Sequence, residues 1–115
     1  MIGSSMRLAA ATIAFMLAAP ATHAGGDPER GLQKSQVCQA CHGPDGNGVG
    51  DPQYPVIAGQ YADYLAHAMM AYKIGERQNV VMQGFMDTLT EQDIEDLAAF
   101  YAQQSGRLND LSHLK

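Results

Sequence analysis

The chain of 115 residues carries twelve Asp and Glu against seven Lys and Arg, which gives a formal net charge of −5. This acidic balance argues against nucleic acid as a partner, because phosphates require a basic surface. After the N-terminal region, no segment is apolar enough to span a bilayer. A chain of this size forms one domain with a limited core, and such cores often rely on a cofactor or a staple.

Residues 1–24 have the layout of a secretory signal. Arg7 is their only charged residue, residues 8–19 form an apolar run, and a small-x-small cleavage site ends at Ala24. The run is shorter than the ~20 apolar residues of a membrane-spanning helix, although an uncleaved anchor is the alternative. We predict a signal peptide over 1–24, a single domain over 25–115, and a periplasmic product with no stable membrane insertion after cleavage.

The first helix of the mature chain is predicted to begin at Asp27-Pro28-Glu29. Asp is a good N-cap, Pro suits the first helical position, and an acid suits the positive end of the helix dipole. The helix should run through Leu32 and Val37 into the cysteine motif. Gly31 within it costs ~1 kcal/mol relative to alanine, so we expect another helix to approach closely at that point.

The motif Cys38-Gln39-Ala40-Cys41-His42 has the spacing of a c-type haem attachment site. In that chemistry the two thiols add to the haem vinyl groups, and the adjacent histidine supplies an axial nitrogen to the iron. Two intervening residues place the sulfurs one helical turn apart on one face. Because the motif occurs once, we predict one covalently bound haem c, held by Cys38, Cys41 and His42, with His42 as an iron ligand.

Other uses of the two cysteines are a redox dithiol, a disulfide or half of a zinc site. A thioredoxin-like dithiol is expected among strands, and no strand pattern surrounds the motif. A zinc site needs four ligands, and only His67 and His113 remain as further donors in the mature chain. Haem attachment is therefore the favoured interpretation.

Residues 43–59 are too rich in glycine and proline for a continuous helix or strand. They include Gly43, Gly46, Gly48, Gly50, Gly59, Pro44, Pro52 and Pro55. A long irregular segment is usually functional or disordered. Since this one directly follows His42 and contains Tyr54, Val56 and Ile57, we expect it to wrap around the edge of the cofactor rather than to act as a flexible linker.

Apolar residues then recur at helical spacing between residues 61 and 72. The stripe consists of Tyr61, Tyr64, Leu65, Ala68, Met69 and Tyr72. Lys73 in the last turn and Gly75 beyond it form a stop signal. We predict a helix that ends near Lys73, with His67 exposed on the side away from the stripe.

The last predicted helix opens at Thr90, where Thr90-Glu91-Gln92-Asp93 is a variant of the capping box. Its apolar residues are Ile94, Leu97, Ala98, Tyr101 and the flanking Phe100. The acids at positions 91, 93, 95 and 96 suit the positive end of the helix dipole. Because no segment alternates as a strand does, the sequence predicts an all-α fold.

Four methionines of the mature chain are candidates for the sixth iron ligand. Met69 and Met70 lie in the helix that ends near Lys73, where methionines are usually core packing. Met82 and Met86 lie between Gly75 and Thr90, a stretch that we expect to be non-helical and able to present sulfur to iron. Methionine ligation raises the reduction potential relative to ligation by two histidines.

Together these segments resemble the class I cytochrome c family. The similarity is strongest to small bacterial cytochromes of the c4 and c553 type, and one haem motif indicates a single-haem relative rather than a two-domain c4 protein. The motifs that carry it are Cys38-Gln39-Ala40-Cys41-His42, Gly43-Pro44-Asp45-Gly46, Tyr54-Pro55-Val56-Ile57-Ala58-Gly59-Gln60, Met82-Gln83-Gly84 and Leu97-Ala98-Ala99-Phe100-Tyr101. The resemblance implies a class I cytochrome c fold of three to four helices around one covalent haem.

The resemblance also assigns roles to individual residues. Gly31 is expected to lie against Phe100 or Tyr101, where the first and last helices cross. The backbone carbonyl of Pro55 is expected to accept a hydrogen bond from the His42 imidazole, which fixes the ring and its basicity. Met82, rather than Met86, is the implied sixth ligand.

With both axial positions filled, the expected function is outer-sphere transfer of single electrons between redox partner proteins, a reductase and an oxidase or dehydrogenase. We expect no catalytic residues and no enzymatic activity. One alternative is a haem c subunit of a larger oxidoreductase complex. The other is a sensor that binds a small ligand at an open sixth site, if neither Met82 nor Met86 binds iron.

Overall fold

The computed structural model describes residues 25–108, so the predicted signal peptide and the C-terminal residues that include His113 lie outside the described residues. The helices are α1 (Pro28–Lys34), α2 (Gln36–His42), α3 (Ala62–Lys73), α4 (Val80–Asp87) and α5 (Glu91–Ala102). Residues 25–108 contain no strand, which confirms the all-α class. Among these residues no helix is long and apolar enough to cross a membrane.

The N-terminal helix begins as predicted but is divided at Ser35. Asp27 caps α1 with its side chain, and Pro28 occupies the first turn. Ser35 is fully buried, and its hydroxyl donates to the carbonyl of Leu32 at 2.8 Å. Cys38 N–H bonds the Ser35 carbonyl at 2.9 Å, a tighter turn than that of an α-helix. The division therefore begins α2 immediately before the cysteine motif.

Helix α1 packs against α5 at the glycine that the sequence singles out. A β-carbon built on Gly31 would lie 2.7 Å from Cβ of Phe100 and would overlap the backbone carbonyl of Asp96. No residue with a side chain fits between these two backbones. The expected contact of Gly31 with Phe100 is thus present, and it explains why a helix tolerates glycine here.

A buried carboxylate joins the same two helices. Asp96 is 2% exposed and receives two hydrogen bonds from Arg30, at 2.8 Å from Nε and 3.0 Å from Nη2. Its Oδ1 also accepts from the Asp27 backbone N–H at 2.7 Å and from Gln92 Nε2 at 2.9 Å. The sequence suggests only a dipole role for this acid, whereas the structure makes it the polar link between the start of α1 and α5.

The segment that follows His42 is irregular, as predicted. Backbone hydrogen bonds hold it together and attach it to α5. The carbonyl of Gly46 accepts hydrogen bonds from Ile57 N–H at 2.8 Å and Ala58 N–H at 3.0 Å. Gly59 N–H donates to the Tyr101 carbonyl at 2.9 Å. These bonds close the segment into a loop that returns to the C-terminal end of α5.

The expectation of a non-helical stretch between Gly75 and Thr90 is wrong, because α4 forms there. The side chain of Asn79 accepts from the backbone N–H groups of Val81 and Met82, each at 3.1 Å, which is an N-cap. Together with the division of the first helix, α4 raises the number of helices above the predicted three to four. Both candidate methionines are therefore helical.

The predicted stripe of α3 is confirmed only in part, since Leu65 is buried and Met69 and Tyr72 pack against the core. Leu65, Ala66 and Ala71 are the buried residues of this helix, whereas Tyr61 and Tyr64 are exposed. The core is built where α3 packs on α4 and α5, and small alanines permit that approach. The predicted stripe of α5 is confirmed, since Ile94, Leu97, Ala98, Phe100 and Tyr101 are all buried.

Replacing Gly31 with alanine should lower the free energy of unfolding by about 2–3 kcal/mol, because the new methyl group forces α1 and α5 apart. Denaturant unfolding of the haem-loaded protein measures the change. Gly84→Ala is the matched control, since a β-carbon at this helical glycine meets no atom within 4 Å. The control should leave stability unchanged or raise it by up to ~1 kcal/mol. Equal losses in both variants would contradict the proposed close crossing.

Asp96 should make stability depend on pH. Its hydrogen bonds with Arg30 lower its pKa from 3.8 to about 2, so its contribution is complete above pH 3.8 and is lost as the pH falls toward about 2. Asp96→Asn should reduce the free energy of unfolding by about 2 kcal/mol at neutral pH, and the gap from wild type should shrink in acid. Glu76→Gln, at an exposed position, serves as the control. A gap that stays constant down to pH 2 would contradict this role of Asp96.

Candidate haem attachment site

The two cysteines lie one turn apart on α2. Cys38 and Cys41 are both free thiols and both partly buried. Burial raises the pKa of the Cys38 thiol, which keeps it protonated at neutral pH. Their spacing is the one that the sequence predicts, and it presents both sulfurs on one side of a short helix.

His42 ends α2 and is held by the loop that follows. The residue is 8% exposed, and its Nδ1 lies 2.9 Å from the backbone carbonyl of Pro55. A carbonyl oxygen can only accept a hydrogen bond, so Nδ1 carries the proton and Nε2 keeps its lone pair. The hydrogen bond expected from the resemblance is therefore present. It leaves one ring nitrogen available to a metal and fixes the plane of the ring.

Glycines bring the loop close enough to make this contact. The carbonyl of His42 accepts from Gly48 N–H at 2.7 Å, which closes a tight turn after α2. Gly43 begins this turn at φ +85°, and a β-carbon there would lie 2.6 Å from the Gly48 carbonyl oxygen. A residue other than glycine would be strained at Gly43 and would push the loop that carries Pro55 away from the ring.

Cys38, Cys41 and His42 fit a haem attachment site better than a zinc site. His67, one of the further zinc donors, is exposed on α3, and His113 lies outside the described residues. Within residues 25–108 no group of three or more His, Cys, Asp or Glu side chains is placed to hold a metal ion. Two thiols for the vinyl groups and one free imidazole nitrogen for the iron are the set that a c-type haem requires.

The two candidate methionines lie on one face of α4, one turn apart. Met86 is 2% exposed and belongs to the core, whereas Met82 is only partly buried and packs against its edge. Met69 and Met70 of α3 also pack against the core. The structure thus brings Met82 and Met86 together but gives them different surroundings.

Tyr101 is a site residue that the sequence does not distinguish from ordinary core packing. It is 2% exposed, and its hydroxyl is the buried side-chain oxygen of residues 25–108 that lacks a hydrogen-bond partner. Its polar neighbours are Cys38 and Ser35, and burial raises the pKa of the phenol. The ring contacts Phe100 edge to face, with centroids 4.9 Å apart. The buried Tyr101 hydroxyl therefore lies next to Cys38, on the side of the attachment site that faces the core.

Comparison with known proteins agrees with this geometry. Residues 29–105 match the sequence model of the family described as cytochrome c. Cytochrome c4 of Pseudomonas aeruginosa is 44% identical over 82 residues, which are 71% of this chain and 40% of that protein. Cytochrome c-554(548) of Halomonas halodenitrificans is 40% identical over 82 residues, 69% of this chain and 98% of that protein.

The crystal structure of reduced recombinant cytochrome c4 from Pseudomonas stutzeri has the same fold, with a TM-score of 0.67 and 40% identity over 70% of this chain and 47% of that one. The chain therefore spans less than half the length of the cytochrome c4 relatives that it matches. The predicted class I cytochrome c fold is confirmed. The chain belongs to the cytochrome c family, and that family implies a covalently bound haem c.

Proposed function

We propose that this chain is a periplasmic monohaem cytochrome that carries single electrons between partner proteins. Residues 1–24 are its signal peptide and residues 25–115 its haem domain. Thioether bonds to Cys38 and Cys41 hold the haem, and His42 and Met82 bind its iron. The observation that carries the proposal is the buried His42 ring, tied by Nδ1 to the Pro55 carbonyl at 2.9 Å, directly after two free thiols one turn apart.

Pro55, His42 and Met82 each have a separate role in the proposed electron transfer. The bound haem supplies a one-electron ferric/ferrous couple. The hydrogen bond from His42 Nδ1 to the Pro55 carbonyl keeps the ring plane of His42 fixed. The histidine therefore need not move when the iron gains or loses an electron. Met82 would supply the second protein ligand to the iron, which would leave no open position for a substrate. We therefore propose a carrier without enzymatic activity of its own.

Burial supports Met82 over Met86 as the sulfur ligand. Met86 is 2% exposed and packed in the core cluster of α3, α4 and α5. Binding iron would take the Met86 side chain out of this packing. Met82 lies one turn earlier and packs against the same cluster while only partly buried, so its use as a ligand would leave the buried core intact.

Exposed apolar side chains beside the site support brief docking with partner proteins. Val80 is 89% exposed and Val81 60% exposed at the start of α4, next to Met82. Val37, next to Cys38 on α2, is 56% exposed. Redox encounters use small interfaces, and a few such side chains are enough for one.

Replacing Cys38 and Cys41 together with alanine should abolish covalent haem retention, because both thioether bonds are lost. Haem staining of denaturing gels, after export in a host that matures c-type cytochromes, measures this directly. Cysteine is absent elsewhere in the sequence, so no other thiol can substitute. Haem that stays bound in the double variant, or a colourless wild-type protein, would contradict the proposed attachment.

Met82→Leu and Met86→Leu form a matched pair, because leucine keeps the volume of methionine but cannot bind iron. Met82→Leu should lower the reduction potential, abolish the long-wavelength band of methionine-ligated ferric haem, and allow rapid carbon monoxide binding to the ferrous protein. Met86→Leu should change none of these and should cost less than about 1.5 kcal/mol in stability. The opposite pattern would make Met86 the ligand. Rapid carbon monoxide binding to the wild type would favour the sensor over the carrier.

A further inference from the structure

Helix α4 is fixed at its C-terminal end by a lysine of another helix. Lys73, the last residue of α3, places its Nζ 3.1 Å from the Met86 carbonyl oxygen and 2.7 Å from the Leu89 carbonyl oxygen. The lysine is partly buried, which shields these charge-assisted bonds from water. The last turn of α4 has no basic residue of its own, so Lys73 provides the positive charge at this end.

The position of Lys73 suits the electrostatics of helix ends. The final carbonyl groups of a helix lack intrahelical partners and carry partial negative charge. Lys73 meets that need for α4 and also stands in the last turn of α3, so one ammonium group serves two helix ends. At the opposite end of α4, the Asn79 side chain caps the first turn. Both ends of this short helix are thereby held.

The held helix carries Met82. Lys73 bonds the backbone of Met86, and Met86 is the buried anchor of α4 in the core. Met82 precedes it by one turn on the same face, so the position of the Met82 sulfur depends on the register and tilt of α4 against α3. A helix of 8 residues has little stability of its own, and its position therefore depends on these contacts.

We propose that Lys73 is a positioning residue for the sixth iron ligand, because its two hydrogen bonds hold α4 where Met82 can stay bound to iron. This inference rests on the proposed function, in which Met82 is that ligand. Without the lysine, α4 separates from α3 more often, and the sulfur leaves the iron more readily. The fold itself should persist, since the crossing of α1 and α5 does not involve Lys73.

The test compares how fast methionine leaves the iron in haem-loaded ferric proteins. Imidazole is added at concentrations that saturate the rate of its binding, so the limiting rate measures loss of the methionine. Lys73→Met keeps the apolar stem and removes the donors, and it should raise that rate about tenfold, the equivalent of about 1.4 kcal/mol. Lys73→Arg keeps the positive charge, so its limiting rate should fall between those of the wild type and Lys73→Met. Lys73→Gln is the second variant if Lys73→Met does not accumulate, with an increase expected in the same direction.

Lys34→Met is the matched control, because Lys34 forms an ion pair with Asp93 at 3.1 Å that joins α1 to α5 and leaves α4 untouched. It should leave the limiting rate within about twofold of wild type, whatever it does to denaturant unfolding. Unchanged rates in Lys73→Met and Lys73→Gln, or equal increases in Lys73→Met and Lys34→Met, would overturn the proposal. A wild-type ferric protein without the long-wavelength methionine band would instead contradict the proposed function.

Discussion

Helices α1 and α5 cross at a point where only glycine fits, and this crossing positions the rest of the molecule. The backbone carbonyl of Asp96 occupies the space that a side chain at Gly31 would need. The carboxylate of Asp96 is buried beside it, where Arg30 and the start of α1 satisfy it. Since α2 continues directly from α1, the crossing also determines where Cys38, Cys41 and His42 lie relative to the core.

The loop after His42 fixes the orientation and the tautomer of the histidine ring. Hydrogen bonds to the Gly46 carbonyl and to the C-terminal end of α5 fix both ends of the loop. The Pro55 carbonyl then meets Nδ1 of His42, which settles the tautomer that an iron ligand needs. Neither the helix nor the loop alone would select it, because a neutral imidazole can carry its proton on either nitrogen and the Pro55 carbonyl favours Nδ1.

Helix α4 combines two methionines with different roles. Met86 holds the helix to the core, and Met82, which is partly buried against the same core, is the iron ligand that we propose. Asn79 at one end and Lys73 at the other satisfy the free backbone groups that make a helix this short unstable. The exposed valines at its start place an apolar surface next to the proposed ligand, where a partner protein could approach the haem.

Features that depend on neighbouring residues can be predicted from the amino-acid sequence. The spacing of Cys38, Cys41 and His42, the caps at Asp27 and Thr90, and the glycine-rich loop are all local, and each predicts its structure through short-range chemistry. Which faces are buried depends on how the helices pack: Tyr61 and Tyr64 are exposed, Asp96 is buried, and the hydroxyl of Tyr101 lies beside Cys38. Asn79 gives α4 a local N-cap, but the contact that fixes the helix against α3 comes from Lys73, 13 positions from Met86 in the chain. Such contacts are set by packing between helices, which periodicity along one helix cannot reveal.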